Sequence, residues 1–169
     1  MDQRHVGLTA AIADSYTEAA RVCLDRHHDS PTDFDLDRSG SQSTVAVEWQ
    51  PPDARTRGAW ANETDTTEAG AYACALAAAD LADGLVAVHR AETRTGADYY
   101  VAPRDNPPDD LEDSLRLEVS GVDRGPQSVI EQRLRAKLDQ AAAGSSNLPA
   151  LAGVVGFKAR LIMLADLEP

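Results

Sequence analysis

Hydrophobic residues in the first third of the chain change from a helical spacing to an alternating one. In residues 6–26 the apolar side chains recur mostly at helical intervals, which predicts a first helix. In residues 34–49 apolar and polar side chains alternate on both sides of the turn-forming segment RSGSQ, which predicts a β-hairpin. Residues 50–63 are rich in helix breakers and polar side chains, so we expect a loop there.

The remainder of the chain alternates more regularly between helical and strand patterns. The predicted elements are a helix at 65–84, strands at 85–92, 97–103 and 114–121, a helix at 126–144 and a final strand or pair of strands at 151–167, broken around 158–160. The helix at 65–84 is expected to start with Asp65 as its N-cap and Glu68 in the capping-box position, and to end at Gly84.

These elements predict an α/β fold, with a central mixed β-sheet flanked by helices. A chain of 169 residues is about the length of one domain, and no clear domain boundary is visible. We therefore expect a single domain, in which an N-terminal helix and hairpin at 1–63 are added to an αβββαβ core at 64–167.

The charge of the chain limits its partners. Its 28 acidic and 16 basic residues give a formal net charge of −12, which should repel bare nucleic acid. Contact with nucleic acid would need a local basic patch, metal ions or a basic protein partner. Cys23 and Cys74 lie in apolar helical patterns and are expected to be free thiols, which suits a reducing cytoplasm. We find neither a signal peptide nor a long apolar segment, so we expect a cytoplasmic protein without membrane spans.

Single carboxylates stand at selected points of two predicted strands. Asp98 opens the strand ADYYVAP, and Glu118 lies in the middle of SLRLEVSG. Because side chains alternate between the faces of a sheet, neighbouring strands would place both acids on one face near a strand end. Oxygen ligands of this kind suit Mg²⁺ or Mn²⁺. As alternatives, Asp98 terminates a hairpin, and Glu118 pairs with Arg116 or Arg90.

The αβββαβ order together with these two acids resembles the restriction-endonuclease-like, or PD-(D/E)XK, nuclease superfamily over roughly residues 65–165. In that superfamily a carboxylate begins the second core strand, a Glu-X-Lys lies on the third, and an acid on the first core helix often completes the site. The resemblance implies that Asp98 and Glu118 bind the metal ion and that Glu68 is the helix acid. The chain departs from the pattern at Ser120, which stands where the superfamily has its lysine.

Another cation is therefore needed if the site follows this pattern. The candidates are Lys137 on the following helix, Arg116 on the strand of Glu118, and Arg94. We predict that Lys137 takes this part, although its place at the edge of the apolar stripe is also typical of a surface lysine. Ser120 can supply only a neutral hydrogen bond.

Two main functions follow from these patterns. The first is a metal-dependent nuclease, or a degenerate nuclease-fold subunit, within a DNA-processing or defence complex. The second is a non-catalytic acidic protein that binds a basic protein partner, which the missing motif lysine favours. A third is a small-molecule enzyme that uses Glu118 as a general base. The sequence contains no phosphate-binding glycine loop, dinucleotide fingerprint or serine-hydrolase elbow.

Overall fold

One seven-stranded sheet organises the molecule. The computed structural model describes residues 1–92, 95–105, 111, 113–144 and 146–167. The helices in these ranges are α1 (Ala10–Asp25), α2 (Ala54–Ala59), α3 (Glu63–Asp83) and α4 (Gln127–Ala142). The strands are β1 (Thr32–Arg38), β2 (Ser41–Val47), β3 (Leu85–Arg90), β4 (Tyr99–Pro103), β5 (Leu115–Val122), β6 (Ala150–Gly156) and β7 (Leu161–Asp166).

The strand order is β2-β1-β7-β6-β5-β4-β3. The pairs β1–β7 and β5–β6 are parallel, and the other neighbouring pairs are antiparallel. This arrangement confirms the predicted α/β class with a mixed sheet. The predicted hairpin is β1 and β2, and through β1 it joins the same sheet as the strands of the second half.

Helices cover both faces of the sheet. Helix α3 lies against β3, β5, β6 and β7 and packs on α1, whereas α4 lies against β5, β6 and β7. Alternate residues of β6 enter different cores, with Leu151 and Val155 in the larger one and Ala152 and Val154 packed with α4. None of the helices in the described ranges is long and apolar enough to cross a membrane.

Two predictions in the first part of the chain need correction. The first helix begins at Ala10 instead of residue 6, because Thr9 accepts a hydrogen bond from the Ile12 amide and caps it there. The segment predicted as a loop contains α2. The Asp53 carboxylate starts this helix by accepting a hydrogen bond of 2.7 Å from the Thr56 amide.

The predicted capping box of α3 is wrong. Asn62 is the N-cap, since its side-chain oxygen accepts hydrogen bonds from the amides of Thr64 and Asp65 at 3.0 and 3.3 Å. Asp65 therefore lies in the first turn, and Glu68 does not occupy the capping-box position. The predicted end at Gly84 is confirmed, because this residue has a φ of +66°, a conformation that glycine adopts readily.

The predicted break around residues 158–160 is confirmed as well. It separates β6 from β7, and the two strands pair antiparallel. Strand β7 then lies beside β1, so the C-terminal strand joins the hairpin to the rest of the sheet.

The N-terminal segment covers one of the two sheet edges. The Gly7 amide donates to the Ala87 carbonyl at 2.8 Å, and the Ala87 amide donates to Nδ1 of His5 at 3.1 Å. His5 is buried, and burial lowers its pKa, so a neutral ring accepts this hydrogen bond. A side chain at Gly7 would come within 2.6 Å of the Val88 backbone, so only glycine allows this close approach.

We expect Gly121→Ala to destabilise the protein by about 2 kcal/mol, because overpacking a close contact forces its neighbours apart. A Cβ at this position of β5 would lie 2.5 Å from the carbonyl oxygen of Thr67 on α3. Chemical denaturation measures the effect. The control is Gly58→Ala in α2, where a Cβ meets nothing within 4 Å and stability should be unchanged or slightly higher. Equal stability of the two variants would contradict tight packing of α3 on β5.

Candidate functional site

Two carboxylates from neighbouring strands meet where β4 begins. Asp98 directly precedes β4, and its amide donates to the Leu117 carbonyl at 2.8 Å. Its Oδ2 accepts a hydrogen bond of 2.8 Å from the Val119 amide. Leu117 and Val119 flank Glu118, so Asp98 lies beside Glu118, whose side chain is 4% exposed. The structure thus brings the two predicted acids together.

Lys137 reaches this acid pair from α4. Its Nζ lies 3.1 Å from Oε1 of Glu118 and 3.1 Å from Oε1 of Gln140. The lysine side chain is only 18% exposed, so it points into the protein instead of into solvent. Ile130 and Leu134 on the same helix are buried against the sheet, and their packing sets the rotation of α4 that turns Lys137 toward Glu118.

The scarcity of lysine makes this contact informative. The chain has only two lysines, Lys137 and Lys158, and its other cationic side chains are arginines, apart from the histidines. Arginine presents a planar, forked guanidinium, whereas lysine presents a compact point charge. One of the two lysines thus stands beside the buried Glu118 carboxylate and places a compact positive charge there.

The pKa of Glu118 is raised. Burial is the main cause, and the negative charge of Asp98 adds to it, whereas Lys137 acts in the opposite direction. Two carboxylates this close repel each other, and a further cation near them would relieve the repulsion. The repulsion between Asp98 and Glu118 therefore favours binding of a positive ion.

Asp98 is held in place from a second side. The Tyr72 hydroxyl, on α3, donates to Oδ1 of Asp98 at 2.8 Å, and Nη2 of Arg90 lies 3.6 Å from the same oxygen. The Arg90 guanidinium stacks on the rings of Tyr72 and Tyr99 at 4.8 and 4.6 Å. Burial and the charge of Asp98 raise the pKa of Tyr72, so its hydroxyl remains a donor.

Two open clefts meet at Asp98. The first, of about 480 Å³, lies between α3, β5 and α4, and its walls include Glu68, Tyr72, Ser120, Arg133 and Lys137. The second, of about 510 Å³, lies near the end of β3, and its walls include Arg90, Glu118 and Gln140. Asp98 lines both clefts, whereas Lys137 lines only the first and Glu118 only the second.

The other predicted site residues lie around this centre. Ser120 is partly buried and lines the first cleft. Glu68 lines the same cleft but is exposed. Within the described ranges, no three carboxylate, histidine or cysteine side chains form a metal-binding group, so the close pair is Asp98 and Glu118 without Glu68.

Arg116, one of the alternative cations for Glu118, has other partners. Arg116 is buried and donates to the carbonyl oxygens of Leu148, Thr95 and Ala141, where it ties the end of α4 to nearby loops. The alternative in which Arg116 pairs with Glu118 is therefore wrong, because the Arg116 guanidinium donates to these carbonyls instead of to the acid. Arg94 lies outside the described residues.

The two cysteines take no part in this site. Both are free thiols, as predicted. Burial raises the pKa of Cys23 and of Cys74 to about 12, so neither thiol ionises near neutral pH. Nucleophilic chemistry by cysteine is therefore not expected.

Sequence reasoning missed Tyr72 and left the partner of Arg90 open. Glu68 and Tyr72 are four residues apart on α3, so they lie on the same helical face, and this spacing was an available signal. The sequence offers Arg90 as an alternative partner of Glu118, whereas in the structure its guanidinium contacts Asp98. A bulge in the β3–β4 pairing between Ala87 and His89 changes the register there, and a sequence pattern does not show it.

We expect Tyr72→Phe to lower the free energy of unfolding by about 1.5 kcal/mol at neutral pH, because it removes a hydrogen bond to a charged carboxylate. The ring and its stacking with Arg90 remain. Urea denaturation measures the change. Tyr100→Phe is the control, since Tyr100 lies in a separate cluster with Val86 and Val88 and should show little change. If Tyr72→Phe left the free energy of unfolding unchanged, the hydroxyl would not hold Asp98 in place.

The donor set fits a hydrated divalent cation. Mg²⁺ is usually bound by one or two carboxylates, with water and substrate phosphates as the other ligands. Asp98 and Glu118 supply two carboxylates at an open cleft, and the raised pKa of Glu118 is consistent with a site that gains from a further positive charge. Structural zinc or calcium sites need more protein ligands than this pair offers.

No family model, curated protein or solved structure matches this chain. Its chemistry must therefore be inferred from the arrangement of Asp98, Glu118 and Lys137. A close acid pair with an ammonium group, at the wall of an open cleft, suits an anionic substrate bound together with a divalent cation.

Proposed function

We propose that this chain is a Mg²⁺- or Mn²⁺-dependent nuclease whose site consists of Asp98, Glu118 and Lys137. The observation that carries the proposal is the 3.1 Å contact between Lys137 and Glu118 beside Asp98. It combines two potential metal ligands with a cation that can contact a phosphate. A mostly buried lysine beside two acids is costly to desolvate, so stability alone is a weak reason for this arrangement.

Each residue has a role in this chemistry. Asp98 and Glu118 would hold the ion, which when bound lowers the pKa of a water molecule and offsets charge on the phosphodiester. Lys137 places an ammonium group where it can donate to a phosphate oxygen or to the attacking water. Ser120, on the wall of the first cleft, offers a neutral hydrogen bond to the substrate.

The resemblance to the PD-(D/E)XK superfamily supports this proposal, with a lysine that comes from a different element. Helix α3, strands β3 to β5, helix α4 and strand β6 follow the αβββαβ order. The superfamily's lysine position on β5 is Ser120, and the ammonium group reaches Glu118 from α4 instead. We infer that the lysine function has moved from the strand to the helix that packs on the same face.

The substrate must overcome the negative field of the chain. Arg133 lies one turn before Lys137 on α4 and lines the first cleft, and Arg90 lines the second. These arginines offset only part of the negative charge of the cleft walls, which also carry Glu63, Glu68 and Asp123, in a chain of net charge −12. We therefore propose that the nuclease works in a DNA-processing or defence complex, where a basic protein partner supplies further contacts to nucleic acid.

A second candidate function is binding of a basic protein without catalysis. Strand β1 carries Asp33, Asp35 and Asp37 on the face opposite the buried Phe34 and Leu36. Helix α4 packs on β5, β6 and β7, so this acidic row is left accessible. A row of acids of this kind suits a basic surface.

Incubation of the purified chain with single- and double-stranded DNA and RNA tests the proposal. The ion is Mg²⁺ or Mn²⁺, and chelator is added in parallel. Cleavage that requires the ion and is lost in site variants supports the nuclease. Ion-independent cleavage, or equal cleavage by the wild type and the site variants, would reject the site. Absence of cleavage together with tight binding of a basic protein that Asp35→Asn weakens would favour the second candidate.

A further inference from the structure

One edge of the sheet is covered by another segment of the chain, and the other edge is uncovered. The edge at β3 is covered by residues 5–7, whose backbone and His5 ring bond to Ala87. The edge at β2 has no such cover: within the described ranges, only β1 pairs with this strand. An uncovered edge offers unpaired backbone groups to another strand.

Strand β2 also lacks the features that usually protect an edge. Charged side chains, especially lysine, and proline or a bulge prevent pairing between edges. The segment Ser41–Val47 reads SQSTVAV, without charge or proline, and its pairing with β1 runs through all seven residues without a register shift. The strand is thus regular, uncharged and long enough to pair.

We propose that β2 pairs antiparallel with β2 of a second copy of this chain, which forms a two-fold dimer with one continuous sheet. Two-fold symmetry requires the same surface on both copies, and an antiparallel strand centred near Thr44 meets this condition. The distribution of charge favours β2 as the contact between two copies. With a net charge of −12, two copies repel each other over most of their surface, but β2 carries no charge of its own.

The nearest acids do not prevent this contact. Asp33, Asp35 and Asp37 lie on β1, so in the dimer the two acidic rows are three strand spacings, or about 14 Å, apart. That separation exceeds the screening length of about 8 Å at physiological ionic strength. The acidic rows therefore weaken the dimer mainly at low salt.

An apolar groove enlarges the contact beyond the backbone. It lies beside β2, between the hairpin and helices α1 and α3, has a volume of about 350 Å³, and includes Val45, Val47 and Leu81 in its walls. Leu81 is 65% exposed and adds apolar surface to this groove. The groove is continuous with the uncharged edge, so the dimer would cover both.

Size-exclusion chromatography with light scattering tests the dimer at moderate salt over a wide range of protein concentration. The wild type should approach twice the 18.0 kDa chain mass. Thr44→Lys should raise the dissociation constant by at least about tenfold, because two ammonium groups then face each other across the axis. Each new lysine also lies opposite Asp35 on β1, which favours folding of the variant.

Gln132→Lys is the control, because it adds the same charge at an exposed position of α4 and should leave the dimer intact. A single-chain mass for the wild type at every concentration would overturn the proposal, as would a Thr44→Lys variant that dimerises like the wild type. Hydrogen exchange of the wild type gives a test without any variant. Protection of the amides of residues 41–47 should increase with protein concentration, and protection that does not change with concentration would argue against the dimer.

Discussion

Asp98→Asn and Glu118→Gln should each reduce ion-dependent cleavage of nucleic acid roughly 10³-fold, the order of effect expected when a catalytic ion loses a charged ligand. Both substitutions keep the shape of the side chain and remove its negative charge. In Asp98→Asn, the new side-chain carbonyl would still accept a hydrogen bond from the Tyr72 hydroxyl or the Val119 amide, so the fold around it should persist. Initial rates with a labelled substrate measure the loss.

A second readout separates ion binding from catalysis. Binding of Mn²⁺, followed by calorimetry or magnetic resonance, should weaken in both variants, because each removes one of two carboxylate ligands. Asp33→Asn is the matched control: it removes one exposed acid from β1 and should leave the rate and the ion affinity unchanged. Wild-type rates in the Asp98 and Glu118 variants would show that any cleavage comes from elsewhere.

Lys137→Met should reduce cleavage about 10²-fold, the order of effect of removing one group that stabilises transition-state charge. It should also destabilise the fold by about 2 kcal/mol at pH 8. This cost is below the roughly 3–5 kcal/mol for breaking a fully buried pair, because the Lys137 side chain keeps 18% exposure. Methionine replaces most of the aliphatic stem, so the loss reports the ammonium group and not a cavity.

The pH dependence of this loss has a definite sign. The pKa of Glu118 is raised in the folded protein, so the stability that its protonation contributes is complete below the unfolded pKa and is lost as the pH rises through the folded pKa. Lys137 acts to lower this pKa, so its removal raises the pKa of Glu118 further. The difference in stability between Lys137→Met and wild type should therefore be small in acid and should increase toward pH 8.

The other lysine provides the control for these measurements. Lys158 is exposed in the turn between β6 and β7, and Lys158→Met should change stability by about 0.5 kcal/mol or less. Its cleavage rate should equal that of the wild type. A stability loss in Lys137→Met that is the same at every pH would contradict its pairing with an ionised Glu118.

The sequence predicted the elements well where one pattern dominated. The strand pattern around Glu118, the helix after Pro126 and the break near Lys158 all agree with the structure. The start of α3 was not predictable, because both Asn62 and Asp65 are good caps. The choice depends on the burial of Thr66 and Thr67 in the first turns of α3, where Thr67 packs against Gly121 of β5.

The site was predictable only in part, because some of its contacts depend on how distant elements pack. Alternation along a strand indicated that Asp98 and Glu118 would meet if β4 and β5 were neighbours, and the pairing makes them so. The direction of Lys137 depends on the rotation of α4, which is set by the packing of Ile130 and Leu134. The four-residue spacing from Glu68 places Tyr72 on the same face of α3, but its contact with Asp98 depends on how α3 packs on the sheet.

The strand order separates the acid pair from the uncovered edge by more than half the width of the sheet. Strands β1, β7 and β6 lie between β2 and β5, so in the proposed dimer the two acid pairs would be roughly 45 Å apart, measured across the strands. That span corresponds to about 13 base pairs of duplex, more than one helical turn. Incisions made by both copies on one DNA molecule would leave long overhangs, and a short duplex would meet one centre at a time.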